Sequence, residues 1–189
     1  MALIYMIRHG EAASGWDADM DPGLSDKGRA QSEAVAREIE ARVGRKLPII
    51  SSPLRRCRET SDPLAGSWNA AARIDERVGE IPSPVHDLKE RGTWLRALMG
   101  GTWDAVREPQ GGIDFLGWRQ GVVDALTGLQ HDTVVFSHFV AINVAAGAAM
   151  NDERVILFRP DNCSVTVFET SGDKLTMVKK GREAETTVN

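Results

Sequence analysis

The sequence predicts an α/β fold built on a largely parallel sheet. Residues 2–7 are a continuous apolar run without a helical period, which is typical of a strand covered on both faces, and residues 132–137 predict a second buried strand. Segments with helical apolar spacing lie between the apolar runs, and strands that alternate with helices favour parallel pairing. Near the end of the chain, residues 164–178 have the pattern of a hairpin.

The first unit of the chain has the order strand, loop, helix. We predict a strand over residues 2–7 and a polar loop over residues 10–23. Ser25 is a suitable helix N-cap, with Asp26 in the first turn, and Gly44 is a suitable stop. The apolar face of this helix consists of Ala30, Ala34, Val35, Ile39 and Val43.

The middle of the chain repeats this order less clearly. Residues 47–51 predict a short buried strand, and Pro53 suits the first turn of a helix that runs towards Ala65. Residues 71–75 are a weaker strand candidate. Residues 82–112 predict an inserted capping segment that contains a short helix over residues 88–99.

The last third returns to a regular pattern. We predict a helix over residues 115–129, a buried strand over residues 132–137 and an Ala-rich helix over residues 139–149. The hairpin follows, and the polar end of the chain, residues 182–189, is expected to fray.

Length and composition indicate an ordinary globular protein. The chain has 189 residues, of which 42% are hydrophobic and 26% are charged, enough to bury a substantial core. We therefore expect a single domain over residues 1–189, with a capping or specificity insertion at residues 82–112.

Charge and cysteine content exclude several partner classes. The net charge of −4 and the lack of a broad basic field make nucleic acid a poor partner. No apolar run is long enough for a membrane span, and no secretory signal opens the chain. Cys57 and Cys163 form no metal-binding pattern, so we expect reduced thiols in a cytoplasmic protein.

Basic side chains follow three of the predicted strands. Arg8 and His9 end the first strand, Arg55 and Arg56 follow the second, and His138 ends the strand at residues 132–137. Ligands of open α/β sheets bind at the carboxyl ends of the strands. We therefore expect these side chains to converge on one site.

The residue types predict phosphoryl chemistry. Two guanidinium groups suit a dianionic phosphoryl group, and a histidine can attack phosphorus to form a phosphohistidine. The reaction also needs a group that protonates the leaving oxygen and then deprotonates water. Glu80 is the best candidate for this group, and Glu11 is its competitor.

Four motifs resemble those of the histidine phosphatase superfamily, which includes cofactor-dependent phosphoglycerate mutases and many phosphatases. They are RHGE at residues 8–11, LSDKG at residues 24–28, SSPLRRCRET at residues 51–60 and SHF at residues 137–139. Their order and spacing resemble the superfamily over nearly the whole chain. The resemblance implies a three-layer sandwich, in which a mostly parallel mixed sheet carries helices on both faces.

The resemblance also implies roles for individual residues. It implies that His9 is the phosphorylated nucleophile and that Arg8, Arg56 and His138 form the phosphate pocket with it. The motif arginine is the one before the small residue Cys57, hence Arg56 rather than Arg55.

One further role follows from the same resemblance, and another from glycine itself. The segment DERVGE, residues 75–80, is similar to the superfamily segment that ends in the proton donor, which favours Glu80. Because Gly10 has no side chain, we expect it to leave room for the phosphate beside the protein backbone.

The chain also departs from the superfamily pattern. Many members carry Thr and Asn after RHG, where this chain has Ala12 and Gly15, and IPSP replaces the usual pattern after Glu80. These departures predict a simpler phosphate pocket and a reshaped loop around the proton donor, and both favour phosphoryl removal over mutase chemistry.

The resulting hypothesis is a metal-independent phosphatase without a cofactor. Its substrate is a phosphomonoester or a phosphorylated protein side chain. The alternatives are a phosphoglycerate mutase-type transferase and, third, a non-catalytic phosphate-binding module. Specificity is expected in residues 82–112, where Lys89, Arg91 and Arg96 either reach an anionic substrate or are solvated helix charges.

Overall fold

The computed structural model describes residues 1–15 and 18–185. Two residues of the predicted loop, 16 and 17, and the last four residues of the predicted frayed tail lie outside the described part. The strands are β1 (Ala2–Arg8), β2 (Ile49–Ser51), β3 (Arg73–Ile74), β4 (Thr133–Ser137), β5 (Val165–Ser171) and β6 (Lys174–Lys179). The helices are α1 (Asp26–Val43), α2 (Arg55–Trp68), α3 (Leu88–Met99), α4 (Phe115–Thr127) and α5 (Phe139–Met150). Short 3₁₀ turns span Glu76–Val78 and Trp103–Val106.

One mixed sheet organises the described residues. Its strand order is β3-β2-β4-β1-β5-β6. The pairs β3-β2, β2-β4 and β4-β1 are parallel, whereas β1-β5 and β5-β6 are antiparallel. The predicted α/β class and mixed sheet are thus confirmed, and β1 lies where parallel pairing changes to antiparallel pairing.

Two apolar cores lie on opposite faces of the sheet, which makes the molecule a three-layer sandwich. In β1, Ile4 and Met6 join the core beneath α3, α4 and α5, while Tyr5 and Ile7 join the core beneath α1 and α2. Alternate residues of a strand point to opposite faces, so an apolar run without gaps is needed where both faces are covered.

The helix boundaries follow from local chemistry where a cap is present. The Ser25 side chain accepts a hydrogen bond from the Gly28 N–H, and Gly44 ends α1 in the left-handed conformation at φ 64°. Both were predicted. In α5, every residue from Phe139 to Gly147 is buried, because small side chains let this helix lie close to the sheet.

Some predicted boundaries are wrong, among them those of β2, which begins at Ile49, and α4, which ends at Thr127. Strand β3 has two exposed residues rather than five, because it is an edge strand that pairs only through Arg73 and Ile74. Helix α2 begins at Arg55, two residues after Pro53. The chain end does not fray between Arg182 and Ala184, since the backbone there hydrogen-bonds to that of Arg159 and Asp161.

Within the described part of the chain, no helix is both long enough and apolar enough to cross a membrane.

Candidate active site

The carboxyl ends of β1, β2 and β4 lie side by side. Arg8 pairs in register with Ser137, and the His9 N–H donates to the Ser137 carbonyl at 3.0 Å. On the other side of β4, the Ser52 N–H donates to the Phe136 carbonyl at 3.0 Å. Parallel register therefore brings the carboxyl ends of the three strands together on one side of the sheet.

His9 is buried and held in one tautomer. Its Nδ1 lies 2.8 Å from the Gly10 carbonyl oxygen, which can only accept, so Nδ1 carries the hydrogen. Nε2 then carries the lone pair of the ring, which accepts a hydrogen bond from Arg56 Nε–H at 3.2 Å. Burial and the charges of Arg56 and Arg8 hold the pKa of His9 well below its ordinary value. The imidazole is therefore neutral and nucleophilic at Nε2.

Arg56 lies at the centre of the site. In addition to its Nε contact with His9, its Nη2 lies 3.2 Å from His138 Nδ1 and 3.3 Å from Glu80 Oε2. The residue is 2% exposed. Arg55, in contrast, is exposed and pairs with a carboxylate one helical turn further on. The structure therefore brings Arg56, and not Arg55, to the histidines.

His138 is fully buried, with both ring nitrogens occupied. Its Nε2 lies 2.7 Å from Ser52 Oγ, and its Nδ1 faces Arg56. Because a guanidinium can only donate, Nδ1 accepts, and the ring hydrogen resides on Nε2. Burial, followed by the charges of Arg56, His9, Arg8 and Arg91, holds the pKa of His138 well below its ordinary value. The ring centroids of His9 and His138 are 5.2 Å apart.

The two carboxylates considered from the sequence lie in different surroundings. The Glu80 side chain is 5% exposed, and its Oε2 lies 3.4 Å from His138 Nδ1 and within reach of Arg56. Glu11 is half-exposed and pairs with Lys27 Nζ at 2.8 Å, beside the first turn of α1. The structure brings Glu80 to His138 and to Arg56, which also contacts His9, and leaves Glu11 at the rim.

A short turn places Glu80. Asp75 caps the Glu76–Val78 turn by accepting from the Arg77 N–H, and its carboxylate also binds the Arg77 guanidinium. These bonds lower the pKa of Asp75 to about 2. At the other end of the turn, Ser137 Oγ donates to the Val78 carbonyl at 2.7 Å. Two anchors thus fix the backbone directly before Glu80.

Arg8 lies behind the site and keeps part of its bonding capacity free. Its Nη1 donates to the Pro160 carbonyl at 3.0 Å, and its guanidinium lies 5.1 Å from the centre of the Phe139 ring. Burial lowers its pKa, and the charge of Glu80 opposes that effect. Arg8 Nε is buried without a hydrogen-bond partner among the residues that the structure describes, which leaves a donor for an anion.

Sequence reasoning missed the loop before β5. Asn162 Nδ2 donates to the His9 carbonyl at 2.9 Å, and Pro160 of the same loop binds Arg8. The Asp161 N–H in turn donates to the Arg182 carbonyl. No motif marks this loop, because its role depends on contacts across more than a hundred residues; its Pro-Asp-Asn composition signals only a turn.

Gly10 makes a close backbone contact that the sequence did not predict. A Cβ on Gly10 would lie 2.7 Å from the Gly28 carbonyl oxygen, and a Cβ on Gly28 would lie 2.1 Å from the Glu11 carbonyl oxygen. The clearance is therefore needed for the first turn of α1. Thr60 Oγ1 accepts from the Gly10 N–H at 3.0 Å and fixes the loop from the α2 side.

A cavity opens in front of His9. It has a volume of about 320 Å³ and is bounded by the strand end, by the following loop at residues 11–15 and by Asn162. A larger cavity of about 510 Å³ lies along α2 near Ala70 and Ile74, and neither histidine lines it. The smaller cavity is the one with reactive groups.

The fold and this arrangement define a class of protein. Residues 4–182 match the sequence profile of the histidine phosphatase superfamily, branch 1. The chain belongs to this superfamily.

Individual relatives agree with this membership. The chain is 28% identical to a protein named probable phosphoglycerate mutase GpmB from Erwinia tasmaniensis, over 92% of this chain and 94% of that one. Among solved structures, Bacillus stearothermophilus YhfR has a TM-score of 0.75 at 20% identity and covers 97% of this chain and 98% of its own. A phosphoserine phosphatase from Entamoeba histolytica has a TM-score of 0.69 at 22% identity, with 98% of each chain covered. At these identities, the structural likeness shows the fold.

Proposed function

We propose that this protein is a metal-independent phosphatase that hydrolyses phosphomonoesters, of small molecules or of a phosphorylated protein side chain, through a phosphohistidine on His9. The observation that carries the proposal is the position of Arg56, which contacts His9 Nε2, His138 Nδ1 and Glu80 Oε2 together. Nucleophile, phosphate-binding cation and acid are thus within reach of one phosphoryl group.

In the first step, His9 Nε2 attacks phosphorus and the bond to the leaving oxygen breaks. Glu80, in its protonated form, gives its proton to that oxygen. Arg8, Arg56 and His138 bind the phosphoryl oxygens, on which charge is spread in the transition state. The Gly10 carbonyl, bonded to His9 Nδ1, stabilises the positive charge that the ring acquires on phosphorylation.

In the second step, water attacks the phosphorus of phosphohistidine. The Glu80 carboxylate takes a proton from this water, and the phosphorus–nitrogen bond breaks to release phosphate. His9 regains its Nε2 lone pair and Glu80 its proton, so one turnover consumes one water and restores both groups.

Trapping the intermediate tests this mechanism. After mixing with an aryl phosphate and rapid quenching, we expect base-stable, acid-labile phosphate on His9, located by mass spectrometry. His9→Gln should lose both the label and turnover, because no other group lies at that position. His131→Gln changes an exposed histidine and is the matched control. Near-normal turnover by His9→Gln would refute the mechanism.

Chelation tests metal independence. The proposal assigns the neutralisation of phosphoryl charge to Arg8 and Arg56, both buried at the strand ends. Turnover of an aryl phosphate should therefore be the same with and without EDTA. A loss that added divalent cation restores would refute this part of the proposal.

The second candidate function is a mutase, and the names of relatives such as the Erwinia tasmaniensis protein favour it. The same site would then return the phosphoryl group to a second hydroxyl of the substrate. A bisphosphorylated three-carbon acid should prime isomerisation with little phosphate release if this is correct. Phosphate release that equals substrate consumption, without isomer, favours the phosphatase.

A further inference from the structure

The backbone next to His9 is held by side chains that the proposed mechanism does not use. The peptide group between His9 and Gly10 is bound on both sides. Its N–H donates to Thr60 Oγ1 at 3.0 Å, and its carbonyl accepts from Asn162 Nδ2 at 2.9 Å. Thr60 belongs to α2 and Asn162 to the loop before β5, so two separate parts of the fold fix the orientation of this peptide group.

The next peptide group, between Gly10 and Glu11, is bound by a side chain of α1. Its N–H donates to Gln31 Oε1 at 2.8 Å. Its carbonyl is the Gly10 carbonyl, which lies 2.8 Å from His9 Nδ1. Gln31 therefore binds the same peptide group that determines which ring nitrogen of His9 carries the hydrogen.

Gly10 makes these bonds necessary. A glycine has no Cβ and adopts a wider range of backbone dihedral angles than other residues, so the peptide groups on its two sides rotate easily. Buried backbone N–H groups also need hydrogen-bond partners. Thr60 and Gln31 supply these partners and thereby fix the direction of the Gly10 carbonyl.

Thr60 also connects this backbone to the turn of α2 that carries Arg56. Its hydroxyl donates to the Arg56 carbonyl at 2.6 Å while it accepts from the Gly10 N–H. One hydroxyl group thus sets the position of the loop after His9 relative to Arg56.

Thr60 and Gln31 lie away from the space that a substrate can enter. Thr60 is completely buried. The described residues that line the cavity in front of His9 include Asn162 but neither Thr60 nor Gln31. We therefore expect these two side chains to affect the reaction through the backbone of Gly10 and not by contact with substrate.

We propose that Thr60 and Gln31 are positioning residues, which keep the hydrogen of His9 on Nδ1 and the Nε2 lone pair directed at phosphorus. Arg56 Nε–H donates to Nε2 and supports the same tautomer. When a phosphoryl group replaces that contact, the Gly10 carbonyl remains to hold the ring. This inference rests on the proposed function, because it assumes that His9 is the nucleophile.

Kinetics of variants that lack one hydrogen bond test the inference. We expect Thr60→Val and Gln31→Met each to lower kcat for an aryl phosphate about two- to tenfold, the effect of one buried hydrogen bond, and to change KM less. Thr60→Ser and Gln31→Glu keep an acceptor at the same position and should retain most of kcat.

Thr127→Val is the matched control for Thr60→Val. Thr127 Oγ1 also donates to the carbonyl four residues before it, that of Val123, but α4 packs on the opposite face of the sheet from α2. The control loses the same kind of bond within a helix and should keep the wild-type kcat.

The hydrogen on His9 Nδ1 provides a readout that needs neither ligand nor turnover. Because it is buried and hydrogen-bonded, it should give a slowly exchanging, downfield proton signal coupled to Nδ1, and this signal should be absent from His9→Gln. Thr60→Val and Gln31→Met should shift the signal upfield and speed its exchange with water. Thr60→Ser and Gln31→Glu should restore it.

The two measurements separate this inference from the proposed function. If His9→Gln retains turnover, the phosphatase mechanism fails, while the proton signal still shows whether Thr60 and Gln31 hold the ring. A wild-type signal or a wild-type kcat in Thr60→Val or in Gln31→Met would overturn the role of that residue. A fall in kcat that Thr127→Val shares with Thr60→Val would show a general loss of structure and would also overturn it.

Discussion

Two histidines of the candidate site carry their ring hydrogens on opposite nitrogens. The Gly10 carbonyl holds the hydrogen of His9 on Nδ1, while Arg56 and Ser52 hold that of His138 on Nε2. The same side chain is thereby suited to the proposed nucleophilic role at one position and, at the other, is oriented by Ser52. Hydrogen-bond partners, rather than residue type, decide between these roles.

Ser52→Ala tests the orientation of His138. Without the hydroxyl, His138 Nε2–H loses its acceptor at 2.7 Å, and we expect kcat/KM to fall about two- to tenfold, the effect of one buried hydrogen bond. Ser51→Ala is the control, since Ser51 is equally buried and its hydroxyl bonds only to a backbone carbonyl. Equal kinetics in both variants would contradict the role of Ser52.

The lowered pKa values of His9 and His138 predict how stability depends on pH. Both rings stay neutral in the folded protein, whereas in the unfolded chain they bind protons below about pH 6.5. The free energy of unfolding should therefore fall as pH decreases from about 6.5 towards the lowered pKa values. Urea denaturation at pH 7.5 and 5.5 measures this, and His9→Gln or His138→Gln should reduce the difference. An unchanged difference in both variants would refute the assignment.

At the scale of elements, the sequence predicted those whose signals are local. Helix α1 has its cap at Ser25 and its stop at Gly44, β1 is apolar up to Arg8, and β4 is buried along its whole length. Edge strand β3 and the Glu76–Val78 turn have no comparable pattern. Both depend on contacts with β2 and β4, which sequence spacing does not reveal.

The turn before Glu80 provides a prediction at this scale. Asp75→Asn should lower kcat more than it raises KM, because the turn that fixes the proposed acid loses its bonds to Arg77. Asp152→Asn is a matched control: Asp152 also pairs with an arginine and also has a pKa of about 2, but that partner is Arg154, outside the site. Equal kcat in the two variants would contradict the anchoring role.

Asp75 should also contribute to stability in acid. Its pKa is lowered to about 2 in the folded protein, so its contribution is present above about pH 4, near its unfolded pKa, and is lost as pH falls towards 2. Denaturation between pH 5 and 2.5 should show a smaller loss of stability in Asp75→Asn than in the wild type.

At the scale of the whole molecule, long-range contacts account for what the sequence did not reveal. The basic strand ends were visible in the sequence, since parallel strands bring their carboxyl ends together. The loop that contains Pro160 and Asn162 was not, because it meets Arg8 and His9 only in the folded chain.

Truncation tests the support that the chain end gives to this loop. Ending the chain after Gly181 removes the hydrogen bonds that join Arg182 and Ala184 to Asp161 and Arg159. We expect kcat/KM to fall, because the loop beside His9 loses these hydrogen bonds. The far-ultraviolet circular dichroism spectrum should not change, because the sheet remains. A truncation after Glu185 keeps these bonds and should behave like the wild type.

The central position of β1 has a consequence for synthesis of the chain. This strand is synthesised before its two sheet neighbours, β4 and β5, which begin at Thr133 and Val165. Contacts of such large sequence separation form late and slow folding. His9 is thus synthesised well before its surroundings, which are complete only once β5 has been translated.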